Sequence, residues 1–297
     1  MAAAEASAVG VAALAKLNLY LHVTGRRDDG YHTLDSLIVF AGIGDRVIAS
    51  PADDLGLQLT GPFAQVLAGD PDNLVLHAAH LLARAGGVEP RAAISLEKNL
   101  PVAAGLGGGS ADAAAALRAL ATLWNLSIAA DDLAALALDL GADVPVCLAA
   151  RAAFVGGIGE DLAPPPPLPS AHMVLVNPGV ALPTAAVFGE LGGVFTGPGR
   201  FAEAPTDAAS LARALAARSN DLEAPARRLC PEVDQALAAL TAEPGCLLAR
   251  MSGSGATCFG LFANAGHAAA AADRISAGHS EWWVELAPLL YDPVANG

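Results

Sequence analysis

Pro101-Val102-Ala103-Ala104-Gly105-Leu106-Gly107-Gly108-Gly109-Ser110-Ala111-Asp112 is the stretch on which the reading of this chain turns. Four glycines within five positions free the backbone for close approach to an anion. The residues that follow, 111–124, predict a helix whose N-terminus points at that anion. Together they describe a phosphate cradle. No Gly-Lys-Ser/Thr follows, which excludes a Walker loop, and Gly105-x-Gly107-x-x-Ser110 meets only half of the dinucleotide fingerprint. The acidic pair Asp131 and Asp132 does stand about 20 residues further on, as a dinucleotide site asks. The approach is wrong, however: the expected strand 92–98 is separated from Gly105 by residues 99–104, whereas a dinucleotide loop leaves its strand almost directly. The remaining alternative is a flexible loop of small residues, and linkers rarely lead straight into an amphipathic helix.

A chain of 297 residues, 54% of them hydrophobic, has enough apolar material for one large or two modest cores. With 16 Lys+Arg and a net charge of −14 there is little to neutralise a nucleic-acid backbone, although a local basic pocket for a small phosphate ester is compatible with the composition. Residues 1–11 are Ala-rich, carry Glu5, lack a positive start and are too short for a signal or membrane segment, so they read as a frayed extension. Cys147, Cys230, Cys246 and Cys258 are too widely spaced for a zinc site or a dense disulfide framework, which suits the cytoplasm.

From Lys16 the pattern alternates. Leu17, Leu19, Leu21 and Val23 fall on one face and Lys16, Asn18, Tyr20 and His22 on the other, as in a half-buried strand, so Lys16 and Asn18 point the same way. Residues 24–30 supply turn chemistry and 31–40 return as a second strand, making a hairpin. Helices are expected over about 72–86, with N-cap candidates at 70–72, and over 131–140, 207–218 and 231–240; strands are expected over 173–177 and 257–262. The order is α+β. Pro164-Pro165-Pro166-Pro167 forms the core of a stiff boundary that divides domains 1–163 and 164–297. A second glycine loop, Ser252-Gly253-Ser254-Gly255-Ala256, opens the strand 257–262, while the Gly-rich residues 189–206 match no pattern.

Three stretches taken together, Ala15-Lys16-Leu17-Asn18-Leu19, the quoted loop, and Met251-Ser252-Gly253-Ser254-Gly255-Ala256, resemble in order and spacing the three signatures of the GHMP kinases. Asp29-Gly30-Tyr31-His32, Gly141-Ala142-Asp143-Val144-Pro145 and Asn177-Pro178-Gly179-Val180 with Pro183-Thr184 are similar to members acting on a cytidine diphosphate derivative. Leu14 departs from the pattern, standing where a proline often precedes the Ala-Lys pair. The resemblance implies a two-domain fold, an N-terminal α/β nucleotide domain and a C-terminal ferredoxin-like domain. It also implies ATP as phosphoryl donor, Mg²⁺ carried by ATP, and as acceptor the 2-hydroxyl of 4-diphosphocytidyl-2-C-methyl-D-erythritol. Neither nucleic acid nor membrane is an implied partner.

Phosphoryl transfer asks for positioning and charge stabilisation more than covalent chemistry. The loop from Pro101 to Ala111 is the expected phosphate site. An acceptor hydroxyl needs a carboxylate to take its proton, and Asp143 lies just past the helix stop at Gly141, on a connecting loop, whereas Asp139 lies inside the helix. On its own Asp143 reads as either a base or a solvated turn aspartate, and Lys16 as either a surface lysine or a charge held in a site. The resemblance selects the functional reading for both. Asn18 is expected to bond substrate or Lys16. Tyr31 and Phe188 offer flat faces to a cytosine and His32 offers polar contacts to its edge, although Tyr31 could merely start a strand and Phe188 belong to the core. Thr184 is a candidate contact to the diphosphate or a hydroxyl, and Asn73 and Lys98 to adenine or ribose. A sibling kinase with another acceptor, a binding protein without turnover, and a dinucleotide oxidoreductase are the competing readings.

Overall fold

A computed structural model describes residues 7–70 and 72–292. They form two compact units that interleave along the sequence. The first gathers residues up to 15 with 44–102 and 108–149; the second gathers 16–43, 103–107 and the chain from 150 onward. The interleaving arises because two long strands, β1 (Val9–Arg26) and β2 (His32–Ser50), contribute to both. The proline run therefore lies within the second unit, and the chain is not divided at a single point near residue 163.

β1 corrects two expectations. It begins at Val9, so residues 9–11 belong to a strand instead of an extension; residues 1–6 lie outside the described residues. It is also buried on both faces: Lys16, Asn18, Tyr20 and His22 are as hidden as the leucines between them. Polar groups in such a place need partners. Tyr20 donates its hydroxyl to Asp35 at 2.8 Å, Asn18 Nδ2 donates to Ser36 at 2.8 Å, and His22 Nδ1 lies 2.8 Å from the Gly197 carbonyl.

In the first unit, β3 (Leu55–Thr60), α1 (Leu74–Gly86), β4 (Ala92–Glu97), α2 (Gly108–Leu123), α3 (Ala130–Leu140) and α4 (Val144–Ala149) follow in order. β4 runs parallel to β3 but antiparallel to the second half of β2, with Ile94 opposite Leu57 and Ser95 opposite Ile48. This mixed sheet, entered from a hairpin, is unlike the all-parallel sheet of a dinucleotide fold. The N-cap of α1 is Asn73, not one of residues 70–72: its Oδ1 accepts from the Val75 N–H at 3.0 Å, while Asp70 closes a turn onto the Asp72 N–H. α2 starts three residues earlier than expected, at Gly108. Its alanines favour the helix and, having little bulk, let it be buried against α1 and α4. Asp131 and Asp132 sit exposed in the first turn of α3, where they complement the helix dipole.

The second unit continues with β5 (Ala153–Gly157), β6 (Asp161–Ala163), β7 (His172–Asn177), α5 (Thr184–Gly189), α6 (Ala208–Ala216), α7 (Glu223–Leu229), α8 (Glu232–Ala242), β8 (Cys246–Met251), β9 (Cys258–Phe262), α9 (Ala265–Gly278) and β10 (Trp283–Leu290). The strands pair β10-β7-β9-β8, all antiparallel, with helices between β7 and β8 and between β9 and β10. Numbering those four strands along the chain gives the order 4-1-3-2 of a ferredoxin-like sheet. Val174, Val176, Val233, Leu240, Phe262 and Ile275 fill the layer between sheet and helices, each large side chain contributing about 1.5–3 kcal/mol by burial. β10 also pairs with β2, Leu289 opposite Ala41, and β2 with β5. All four cysteines carry free thiols, and among the described residues no helix is long and apolar enough to cross a membrane.

Candidate active site

Three stretches far apart in sequence meet inside the second unit. The Lys16 N–H donates to the Leu106 carbonyl at 2.9 Å, and the Asn18 N–H donates to Ser252 Oγ at 3.2 Å. Ser252 Oγ in turn donates to the Gly105 carbonyl at 2.9 Å, and the Thr257 N–H to Ala104 at 3.1 Å. The middle of β1, the first glycine loop and the second glycine loop are thus bonded to one another in a ring. Asn220 ties the second loop from below, its Nδ2 donating to the carbonyls of Met251 and Gly253, both at 2.8 Å.

Two glycines are required by this closeness. Gly105 has φ +75°, and a Cβ on it would lie 2.3 Å from the Ser252 carbonyl oxygen, an overlap with backbone that nothing can relieve. Gly107 has φ +63°, and its Cβ would lie 2.9 Å from Lys16 Cε. The side chain of Lys16 therefore passes directly over the loop. Its Nζ donates to Asn18 Oδ1 at 3.0 Å, and Asn18 Nδ2 donates to Ser36, so the amide is fixed at both ends and the lysine is aimed by it. Thr184, exposed at the first position of α5, has its Oγ1 2.8 Å from Ser254 Oγ, joining that helix to the second glycine loop.

At the far end of the β1–β2 hairpin, the ring of His32 stacks on Phe188 of α5, with centroids 5.0 Å apart and planes inclined by 22°. Phe188 also packs against the core, as its core reading expects. Tyr31, 63% exposed, stands next to this pair along the chain. Burial, then the nearby Arg26 charge, lower the His32 pKa, which keeps the imidazole neutral near pH 7 and able both to donate and to accept.

In the first unit, Asp143 occupies the single-turn connection between Gly141 (φ +153°) and α4, partly exposed. Its carbonyl accepts from the Cys147 N–H at 3.3 Å, which starts α4 and leaves the carboxylate outside the helix. Lys98 is corrected. It is 2% exposed, and its ammonium is bonded to Asp45 and, at 2.8 Å, to Asp112. Asp45 also accepts the N–H groups of Asn99 and Leu100, at 2.6 and 2.8 Å. Lys98 is therefore the anchor of the segment entering the glycine loop, because its charge is neutralised in the interior. Asn73, buried at the start of α1, uses its amide oxygen to cap that helix.

Sequence reasoning missed Ser36, Asp45, Asp112, Asn220 and Ser252. Asp112 did carry a signal, since an aspartate inside an alanine-rich helix that is buried all round must be paired. The others are ordinary polar residues whose importance comes from what the fold brings opposite them.

Residues 73–151 match the model of the GHMP kinases N terminal domain and residues 201–280 that of the GHMP kinases C terminal domain. The chain belongs to the GHMP kinases. The 4-diphosphocytidyl-2-C-methyl-D-erythritol kinase of Rhodospirillum rubrum is 52% identical over 287 residues, which covers 97% of this chain and 94% of that one. A crystal structure of 4-(cytidine 5'-diphospho)-2C-methyl-D-erythritol kinase has 37% identity and a TM-score of 0.74, covering 95% of this chain and 99% of the other. Homoserine kinase from Cytophaga hutchinsonii reaches a TM-score of 0.73 at 18% identity over 98% of each chain. That last likeness is one of fold alone. Within the GHMP kinases, then, the fold does not choose the acceptor.

Proposed function

We propose that this protein transfers the γ-phosphoryl group of ATP to the 2-hydroxyl of 4-diphosphocytidyl-2-C-methyl-D-erythritol, in the non-mevalonate route to isoprenoid precursors, as a cytoplasmic enzyme. The observation that carries the reading is the ring of bonds joining the middle of β1 to both glycine loops. Identity of 52% and 37% over nearly the full length to kinases of that name supports this acceptor. The loop from Pro101 to Ala111 holds the phosphates: Gly105 and Gly107, both at positive φ, let it lie close against Ser252 and Lys16, and the first turn of α2 supplies N–H groups. Mg²⁺ bound to the ATP phosphates would neutralise charge on their oxygens. Asp143 takes the proton of the attacking hydroxyl. Lys16, aimed by Asn18, favours the alkoxide and the charge that spreads over the transferring group. Thr184 contacts the diphosphate, and Tyr31, His32 and Phe188 recognise the cytosine.

The deciding experiment is an ADP-release assay over a panel of acceptors. Turnover is expected with 4-diphosphocytidyl-2-C-methyl-D-erythritol and not with homoserine, mevalonate or free methylerythritol phosphate; efficient use of any of the latter three would sink the assignment of the acceptor.

Two variants probe the two ends of the site. Gly107→Ala pushes Lys16 off its place and strains the loop backbone, which has φ +63° there. The expected loss in kcat is about ten- to a hundredfold, the scale for displacing a reacting group by about 1 Å, with a melting temperature lowered by the strain of a Cβ at positive φ. Tyr31→Ala and Phe188→Ala should each weaken the acceptor by about 1–3 kcal/mol, the range for base–aromatic stacking. The loss falls on KM for the acceptor more than on kcat, since the base is remote from the reacting hydroxyl. Unchanged KM in both aromatic variants would remove the cytosine from this end of the molecule.

A further inference from the structure

The Gly-rich residues that matched no sequence pattern have a definite place. Thr196 donates its N–H to the Val23 carbonyl at 2.9 Å, and the Gly197 carbonyl meets His22. Asp35 of β2 then accepts the Gly199 N–H at 2.7 Å and Arg200 Nε at 2.8 Å. The same carboxylate takes the Tyr20 hydroxyl from β1. Arg218 closes the arrangement from α6's end: its Nε donates to the Gly199 carbonyl, and its guanidinium lies over the rings of Tyr20 and Phe201. Residues 196–201 thus form a strap lying across both stems of the β1–β2 hairpin. Asp35 is the buckle, 3% exposed, with three donors converging on it.

The strap also has a short tether. Leu191 packs into the core of the second unit only three residues after Phe188, so four residues span from that anchor to Thr196. One end of the segment therefore fixes the helix bearing Phe188, and the other fixes the stems of the hairpin bearing Tyr31 and His32. We infer that Asp35, Gly199 and Arg200 are positioning residues for the acceptor: the strap sets the spacing between the hairpin tip and α5 and so determines specificity for the cytidine end. This inference rests on the reading of Tyr31, His32 and Phe188 given above. A charge-assisted hydrogen bond from a guanidinium to a buried carboxylate is among the stronger polar contacts available to hold such a spacing.

The strap can be loosened without touching a group that meets substrate. Arg200→Gln removes the charge from a side chain that is 34% exposed. Gly199→Ala places a methyl group 2.7 Å from His22 Cε1 and lifts the backbone away from β1. Both are compared with wild type, Arg200→Lys and Tyr31→Ala in steady-state assays, with folding checked by circular dichroism and thermal melting. We expect KM for 4-diphosphocytidyl-2-C-methyl-D-erythritol to rise about tenfold in Arg200→Gln and Gly199→Ala, the scale of one hydrogen bond to a charged group. KM for ATP should stay within twofold, and Arg200→Lys should recover part of the loss. A fall in melting temperature with unchanged acceptor KM would show the strap to be structural only and overturn the inference. If Tyr31→Ala raises the acceptor KM while the strap variants do not, the strap fails and the cytosine reading stands. If none of them does, both fail.

Discussion

Asp143→Asn should bind ATP with a KM within a few-fold of wild type and turn over about 10²–10⁴ times more slowly, the range for loss of a general base. The amide is isosteric, and the Asp143 carbonyl that starts α4 is left in place by the substitution. The loss should appear equally in kcat and in kcat/KM for the acceptor, because the proton is taken only as the new bond forms. Raising the pH should not restore turnover, since an asparagine cannot be recruited as a base at any pH. Near-wild-type turnover would return the role to Lys16 alone or to the exposed Asp139 in α3.

Lys98→Met is expected to have the largest effect on stability. The substitution keeps the length of the side chain and removes the one cation between Asp45 and Asp112, leaving two carboxylates in the interior. Removing one partner of a buried ionic group costs about 3–5 kcal/mol, readable as a shift in the urea midpoint. Adding Asp112→Asn should restore part of this, because it deletes one of the stranded charges. The Asp112 carboxyl itself sits well above the usual carboxylate range: burial raises it first, Lys98 pulls it down, and Asp45 pushes it up again. Its Oδ1 has no partner among the described residues. A carboxyl whose pKa is raised on folding binds its proton more tightly in the native state, so its contribution to stability is greatest at acid pH. That contribution declines as pH rises from about 4, the unfolded value, toward neutrality. Wild type should lose stability across that interval, and Asp112→Asn should flatten the slope; an identical slope in the two proteins would remove Asp112 as its source.

Much of the site was legible because its parts are local in sequence. The first glycine loop announces itself by composition, and the alternation from Lys16 onward put Lys16 and Asn18 on one face, where they are found bonded. The helix stop at Gly141 located Asp143 outside α3. What could not be read was which distant residues stand opposite. Period-two alternation looks the same whether a strand's polar face meets water or a buried partner, so β1 was expected to be half exposed, and the hydrogen bonds that let its polar face be buried come from Ser36, Asp35 and Gly197. Lys98 failed for a related reason: a lysine at the end of a strand, just before a phosphate loop, gives no sign that Asp45, 53 positions earlier, lies against it. The strap was invisible because glycine, proline and threonine carry no period. Only the bonds of Thr196, Gly199 and Arg200 to the hairpin give those residues meaning.

The pairing of β2 with β10 sets a schedule for the chain as it is made. Ala41 and Phe40 face Leu289 and Leu290, so an edge formed by the first fifty residues stays open until almost three hundred have been synthesised. Neighbouring strands β7, β8 and β9 are likewise incomplete until β10 takes its place between β7 and β2. Contacts of such long sequence separation form slowly and leave apolar strand edges exposed in the meantime. A premature stop anywhere before residue 283 yields a product that lacks β10, the strand that joins β2 to β7.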